Sequence, residues 1–246
     1  MKVKHELNII APNIKEGGGK KLFLYLLIYL EKNYKNINVI AYVDSSLNEL
    51  KPTTRRTLIK VNSSFKKFIL FFKKIENVIY FGNIPPVFKS SNSLLYVQNE
   101  LLIMKYKKIF KNTKSFKYIF LKIYIKLFIN NVRFVGCQTE KMMTGIKEEF
   151  NFFNVKIIPF YNDTLHNFKK NKKFDFCYVS LSPPHKNHKL LFEAFEILGK
   201  KGHTISLAVT IHSNNVSLID QINRINQSKN IKIINLGILS DKEEAK

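Results

Sequence analysis

Short apolar runs alternate with longer amphipathic ones along nearly all of this 246-residue chain. Residues 6–12, 37–43, 57–61, 77–81, 93–97, 132–138 and 155–159 have the length and composition of strands. Residues 20–32, 64–75, 100–129 and 140–150 carry helical spacing between them, the third with a break near Asn112 and the second capped by Ser63 or Ser64. The rhythm stops in a polar, basic stretch at 162–173. It then restarts as strand 174–180, helix 186–199, strand 204–210, helix 216–228 and strand 231–236. Strands alternating with helices require parallel sheets joined by right-handed crossovers, with helices covering both faces. Two such runs joined by a linker predict an α/β chain of two doubly wound domains, residues 1–163 and 172–246. The second run has only three strands before residues 241–246 begin a further helix behind Ser240, which predicts an incomplete second domain.

Charge narrows the partners. Lys plus Arg number 41 against 18 Asp plus Glu, a net charge of +23. Such an excess attracts nucleic acid, anionic lipid headgroups or phosphorylated substrates. A wealth of Lys, Asn, Ile, Phe and Tyr is also what AT-rich coding produces, so compositional bias is a second source of the charge. Cys137 and Cys177 both fall in apolar, strand-like runs, which predicts buried free thiols and a reducing compartment. The charged start of the chain lacks a signal-peptide pattern, and no apolar run reaches the length needed to span a bilayer. A cytoplasmic protein, soluble or lying on a surface, is expected. His166, His203 and His212 are isolated in sequence and read as structural, and no metal or cofactor is expected.

Three stretches carry chemistry. Gly17, Gly18 and Gly19 follow the first strand, where glycines let backbone N–H groups approach a phosphate or a sugar at a helix start. The spacing is not that of a dinucleotide-binding loop, and a flexible loop is the competing reading. Asp44, just after the second strand, is placed as a ribose-binding carboxylate would be in a dinucleotide site. Residues 178–195 form a strand end, a proline-rich loop and a helix with Leu190, Leu191, Ala194, Phe195 and Leu198 at helical spacing. Lys186 at that helix start suits a diphosphate, and equally suits a solvated turn. The third stretch is basic and aromatic. Residues 105–126 hold eight lysines and no acid, with aromatic residues between them. Residues 64–74 repeat the theme. Lys105, Lys108, Lys111, Lys117 and Lys122 fit an anionic membrane surface, a single-stranded nucleic acid, or the solvated side of packed helices. No nucleic-acid-binding motif is present, so nucleic acid is not the expected partner.

Pro184, His185, Lys186, Asn187, His188 and Lys189, followed by Leu190, Leu191, Ala194 and Phe195, resemble the donor-domain segment of family-four retaining glycosyltransferases. The likeness is to the branch found among enzymes that build bacterial surface polysaccharides. Residues 138–159 resemble the close of that family's acceptor domain, and 230–244 a later donor-domain strand and helix start. The resemblance implies a GT-B fold of two Rossmann-like domains. It implies hexosyl transfer with retention from a nucleotide sugar to a lipid-linked or polysaccharide acceptor, as in lipopolysaccharide synthesis. The site would lie on the cytoplasmic face of the inner membrane, with no metal. Lys186 would contact the donor diphosphate, beside Ser182, His185 and Asn187. Leu181 stands where the commoner branch has arginine, so half of the usual diphosphate clamp is replaced. Gly17, Gly18 and Gly19 would form one acceptor-side loop, and Gln98, Asn99 and Glu100 the other. That second loop carries a functional histidine in many relatives, a role that does not transfer here. The family's acidic Glu-x7-Glu motif is missing. A truncated or split non-catalytic form that needs a complementing C-terminal fragment is therefore the alternative to an active transferase. A basic nucleic-acid-binding module is a third.

Overall fold

The computed structural model describes residues 5–106, 116–159, 173–182 and 186–238. The chain divides into two compact units, Met1–Asp163 and Thr164–Lys246.

Unit 1 holds a seven-stranded sheet in the order β3-β2-β1-β4-β5-β6-β7. The strands are β1 (His5–Ala11), β2 (Ile37–Asp44), β3 (Arg56–Val61), β4 (Val78–Phe81), β5 (Ser93–Tyr96), β6 (Phe134–Cys137) and β7 (Val155–Ile157). Every neighbouring pair is parallel. β1 is central, and Asn8 to Ala11 are buried without interruption, as expected of a strand covered on both faces. Successive residues point to opposite faces. Ile9 joins the core beneath helix α1 (Gly17–Asn33), and Ile10 joins the core beneath α3 (Phe116–Phe128) and α4 (Glu140–Phe150). α1 buries Phe23, Leu26, Leu27 and Leu30, an i, i+3, i+4, i+7 stripe. Each side chain of that stripe contributes roughly 1.5–3 kcal/mol of burial.

Unit 2 holds β8 (Phe176–Tyr178), β9 (Ile205–Val209) and β10 (Ile231–Asn235) in a parallel sheet of order β10-β9-β8. Helices α5 (His188–Lys200) and α6 (Val216–Ile225) pack on it. The α/β class with two parallel sheets is thus the one that the alternation predicts.

Several local expectations change. The glycine run is not a loop before the helix: α1 begins at Gly17, whose φ of 67° only glycine adopts without strain. α1 is also less enclosed than its composition suggests, since Ile28 and Tyr29 face out. The helical region expected over 100–129 begins as a 3-10 turn at Glu100–Ile103 and ends as α3, and the break expected near Asn112 lies outside the described residues. The helix expected to 75 is α2 (Ser64–Ile69), closed by a 3-10 turn at Leu70–Phe72. On α5 the buried face is His188, Phe192, Phe195 and Gly199, so Leu190 and Ala194 point outward. The cause is Gly199, whose missing side chain admits Ile231; a Cβ there would lie 2.5 Å from Ile231 Cγ1. Cys137 is buried, whereas Cys177, on the outermost strand of its sheet, is exposed and overturns the expectation of two buried thiols. The linker at 162–172, His166 and residues 239–246 lie outside the described residues.

Candidate functional site

In unit 1 the chain reverses its direction of winding between β1 and β4, because β2 and β3 lie to one side of β1 and β4 to β7 to the other. In doubly wound sheets ligands bind at such a switch point, beyond the carboxyl ends of the strands. The loops that meet there are held by side chains. Asn83, after β4, has φ 73°, and its Oδ1 accepts from the backbone N–H of Gln98 at 2.8 Å and of Asn99 at 3.2 Å. Asn99 Oδ1 accepts from Leu101 N at 3.1 Å. Glu100 forms an ion pair with Lys141. The glycine run and the Gln98 loop, far apart in sequence, are brought together: a Cβ on Gly19 would lie 3.4 Å from Gln98 Oε1. Gly17 and Gly18 have open space where their side chains would be.

A cavity of about 1000 Å³ opens at the same edge, between the loops after β1 and β4 and the helices α2 and α3. Lys15, Lys67 and Lys117 lie along it, with Phe68, Phe71 and Phe120 among its apolar walls. A smaller cavity of about 340 Å³ lies at the opposite end, where β1, β2, β4 and β5 begin. Behind the larger cavity sits Asp44, buried at the end of β2. Its Oδ1 accepts from Ser46 N at 2.8 Å, its Oδ2 from Lys67, and Lys15 Nζ is 3.8 Å away. Burial pushes this carboxyl up. The Lys67 ammonium and the Ser46 amide outweigh it and hold the group well below the usual carboxylate range. Asp44 is therefore a structural anion that fixes Lys67.

In unit 2 the segment after β8 is cross-tied to the loop after β9. Ser180 N donates to Thr210 Oγ1 at 2.9 Å, and Asn215 Nδ2 donates to Ser182 Oγ at 3.0 Å. Tyr178 Oη donates to the Lys186 carbonyl at 2.9 Å. Asn187, at φ 49°, precedes α5 without capping it by its side chain, and Lys186 and Asn187 are both exposed. The first N–H groups of α5 are therefore without a side-chain acceptor among the described residues, beside an exposed ammonium. His188, 3% exposed, packs between Tyr178 and Phe192 at 5.1 and 6.4 Å, and its Nε2 has no partner among the described residues. Burial lowers its pKa, a hydrogen bond with the Ser180 backbone opposes this, and the Lys186 charge adds to the lowering. The ring is thus biased toward its neutral form. Lys186 and Asn187 lead into this helix start, Ser182 is tied instead to Asn215 before α6, and His185 is outside the described residues.

The lysines assigned to a surface divide. Lys105 and Lys117 are exposed, and Lys108 and Lys111 lie outside the described residues. Lys122 is not at the surface: its side chain is 0% exposed, 3.0 Å from Glu149 Oε2, bonded to the Met104 carbonyl and 4.4 Å from the Tyr106 ring centre. The helix carries it on the face of Ile125 and must satisfy the charge internally. Sequence reasoning passed over Lys15, took Lys67 only as one lysine of the basic 64–74 stretch, and took His188 as part of a motif without a place of its own. The spacing of His188 to Phe192 and Phe195 marked it as inward-facing. Among the described residues no group of three His, Cys, Asp or Glu side chains could hold a metal ion, and no helix is long and apolar enough to cross a membrane.

No protein-family model and no curated protein matches the sequence. Solved structures do match in fold. WaaG, a glycosyltransferase involved in lipopolysaccharide biosynthesis, aligns over 97% of this chain and 71% of its own, with TM-score 0.58 and 11% identity. The lipopolysaccharide outer core galactosyltransferase WaaB, in its apo form, aligns over 97% and 70%, with TM-score 0.53 and 12% identity. TarM aligns over 91% of this chain but only 37% of its own, with TM-score 0.51 and 18% identity. The chain thus has the two-sheet architecture of GT-B glycosyltransferases.

Proposed function

We propose that this protein is a retaining glycosyltransferase that moves a hexosyl group from a nucleotide sugar to a hydroxyl of a lipid-linked or polysaccharide acceptor in surface-glycan synthesis. The fold shared with WaaG and WaaB supports the class. The observation that carries the reading is the start of α5, where uncapped N–H groups and the exposed Lys186 stand together at the carboxyl end of a parallel strand. A donor diphosphate placed there meets a helix dipole, an ammonium and the polar groups of Ser182 and Asn187. In the transfer the bond from the anomeric carbon to the diphosphate oxygen breaks, and the leaving nucleotide keeps the electron pair. The acceptor oxygen bonds to the same carbon on the face that the diphosphate leaves, which retains the configuration, and its proton passes to the departing diphosphate oxygen. Lys186 and the helix start stabilise the charge that develops on the departing diphosphate, so this reading assigns that task to the chain and not to a metal. The acceptor belongs with unit 1, around Gly17 to Gly19 and the loop from Gln98 to Glu100. Lys105 and Lys117, with the exposed aromatic residues of α3, hold the protein at the cytoplasmic face of an anionic membrane.

Calorimetric titration of UDP, GDP and ADP separates this reading from a fold that binds no nucleotide. One of the three should bind, and Lys186→Ala should weaken it about tenfold, the scale of one charge-assisted contact. Equal affinity in the variant would refute the assignment.

A further inference from the structure

The cavity of unit 1 is two-sided in chemistry. On one side Lys15 and Lys67 share the single carboxylate of Asp44, and Lys117 stands free of any acidic neighbour in the lining. Three ammoniums against one carboxylate leave an excess of two positive charges, and no acidic side chain lines the cavity among the described residues. Lys67 cannot swing away, because its side chain is 13% exposed and pinned by Asp44. Lys15 is 60% exposed and reaches Asp44 only at 3.8 Å, so its ammonium is available to an incoming anion. On the other side Phe68 and Phe120 line the cavity while remaining 53% and 70% exposed. They continue outward into apolar surface. Phe116, Phe120, Ile123 and Leu127 follow one another at i, i+4, i+7 and i+11 down the solvent side of α3. A simple inorganic anion would use the lysines and leave about 1000 Å³ of largely apolar space unfilled. A neutral lipid would fill the space and leave the cations unmatched.

The geometry points to a lipid phosphate as the occupant: a phosphate monoester or diester head against Lys15, Lys67 and Lys117, with its hydrocarbon chain running along Phe68 and Phe120 and out over α3. This names the chemical class of the acceptor and rests, for that role alone, on the transferase reading above. Binding itself requires no donor and no transfer.

The test uses the full chain and three soluble probes below their aggregation limit: dodecyl phosphate, inorganic phosphate and dodecanol. Dodecyl phosphate should bind at least about tenfold more tightly than either of the others, because each of them supplies only one of the two contacts. Lys15→Gln and Lys117→Glu, both at exposed positions, should each weaken it by about tenfold, and Phe120→Ser by several-fold, with thermal stability unchanged in Lys117→Glu. UDP titration is run on the same variants and should be unchanged. Equal binding of inorganic phosphate or dodecanol would overturn the proposal, as would lysine variants that bind like the wild type. Binding to phosphatidylglycerol vesicles without binding to soluble dodecyl phosphate would also overturn it, and would leave a membrane-facing surface in its place. Loss of nucleotide binding with dodecyl phosphate binding intact would remove the transferase reading and keep this one.

Discussion

Helices α2 and α4 begin under side-chain caps: Ser63 Oγ accepts from Lys66 N at 3.3 Å, and Thr139 Oγ1 from Met142 N at 3.3 Å. Helix α1, opening at the glycine run, and α5, opening after Lys186, have no such cap. α6 is also uncapped, and the amide of its preceding Asn215 is turned to Ser182 instead. A cap occupies the N–H groups that an anion would otherwise meet. The capped helices are thus finished by the chain itself, whereas α1 opens beside the Gln98 loop of unit 1, and α5 and α6 open beside the cross-tied loops of unit 2. The lysines repeat the contrast. Lys122 has a carboxylate, a carbonyl and a ring, whereas Lys117 on the same helix faces solvent.

The contrast between the two lysines breaks most visibly by mutation. Lys122→Ala should cost about 3 kcal/mol in denaturant unfolding, since it strips a buried partner from Glu149 and Met104. Lys117→Ala should stay within about 0.5 kcal/mol. If the two are alike, burial is not what sets them apart. Acid is the next lever. Asp44 titrates below its ordinary value of 3.8 in the folded chain, so its contribution is present above that pH and is lost as pH falls through the folded value. The melting temperature of the wild type should drop below about pH 4, and Asp44→Asn, already weaker at neutral pH, should lack that component of the drop. Removing the caps comes third. Ser63→Ala and Thr139→Ala should each cost about 1 kcal/mol, whereas Asn187→Gly, which eases a positive φ and removes no cap, should cost nothing. The glycines of α1 give the finest test. Gly17→Ala should destabilise by about 1 kcal/mol through its φ, while Gly18→Ala, with open space around it, should stabilise by up to about 1 kcal/mol. Opposite signs at adjacent residues would confirm that the helix starts at Gly17.

The alternation of strand and helix was legible because burial on both faces of a parallel sheet leaves a continuous apolar run, as β1 does from Ile9 to Ala11. Helix 140–150 was legible for a different reason, helical spacing, which the structure shows as the buried Met142, Ile146 and Phe150 behind a Thr139 cap. Lys122 was not legible. It is one of eight lysines in an acid-free run, and its partner Glu149 is on another helix. The clue was phase, since Lys122 stands three residues before the buried Ile125. The face of α5 was misread because Leu190 and Phe192 are both apolar, and only the contact of Gly199 with Ile231 decides between them. Gly19 and Gln98 were singled out separately. That they touch follows from strand order, which no local pattern encodes.

The ammonium of Lys122 also sets a bearing. One residue of rotation turns an α-helix by about 100°. Such a turn would carry Lys122 away from both Glu149 and the Met104 carbonyl, and would swing Phe120 and Leu127 off their present heading. The charge acts on α3 as a key acts in its slot: the helix has one rotational setting, and the aromatic side it shows to the outside is chosen from within.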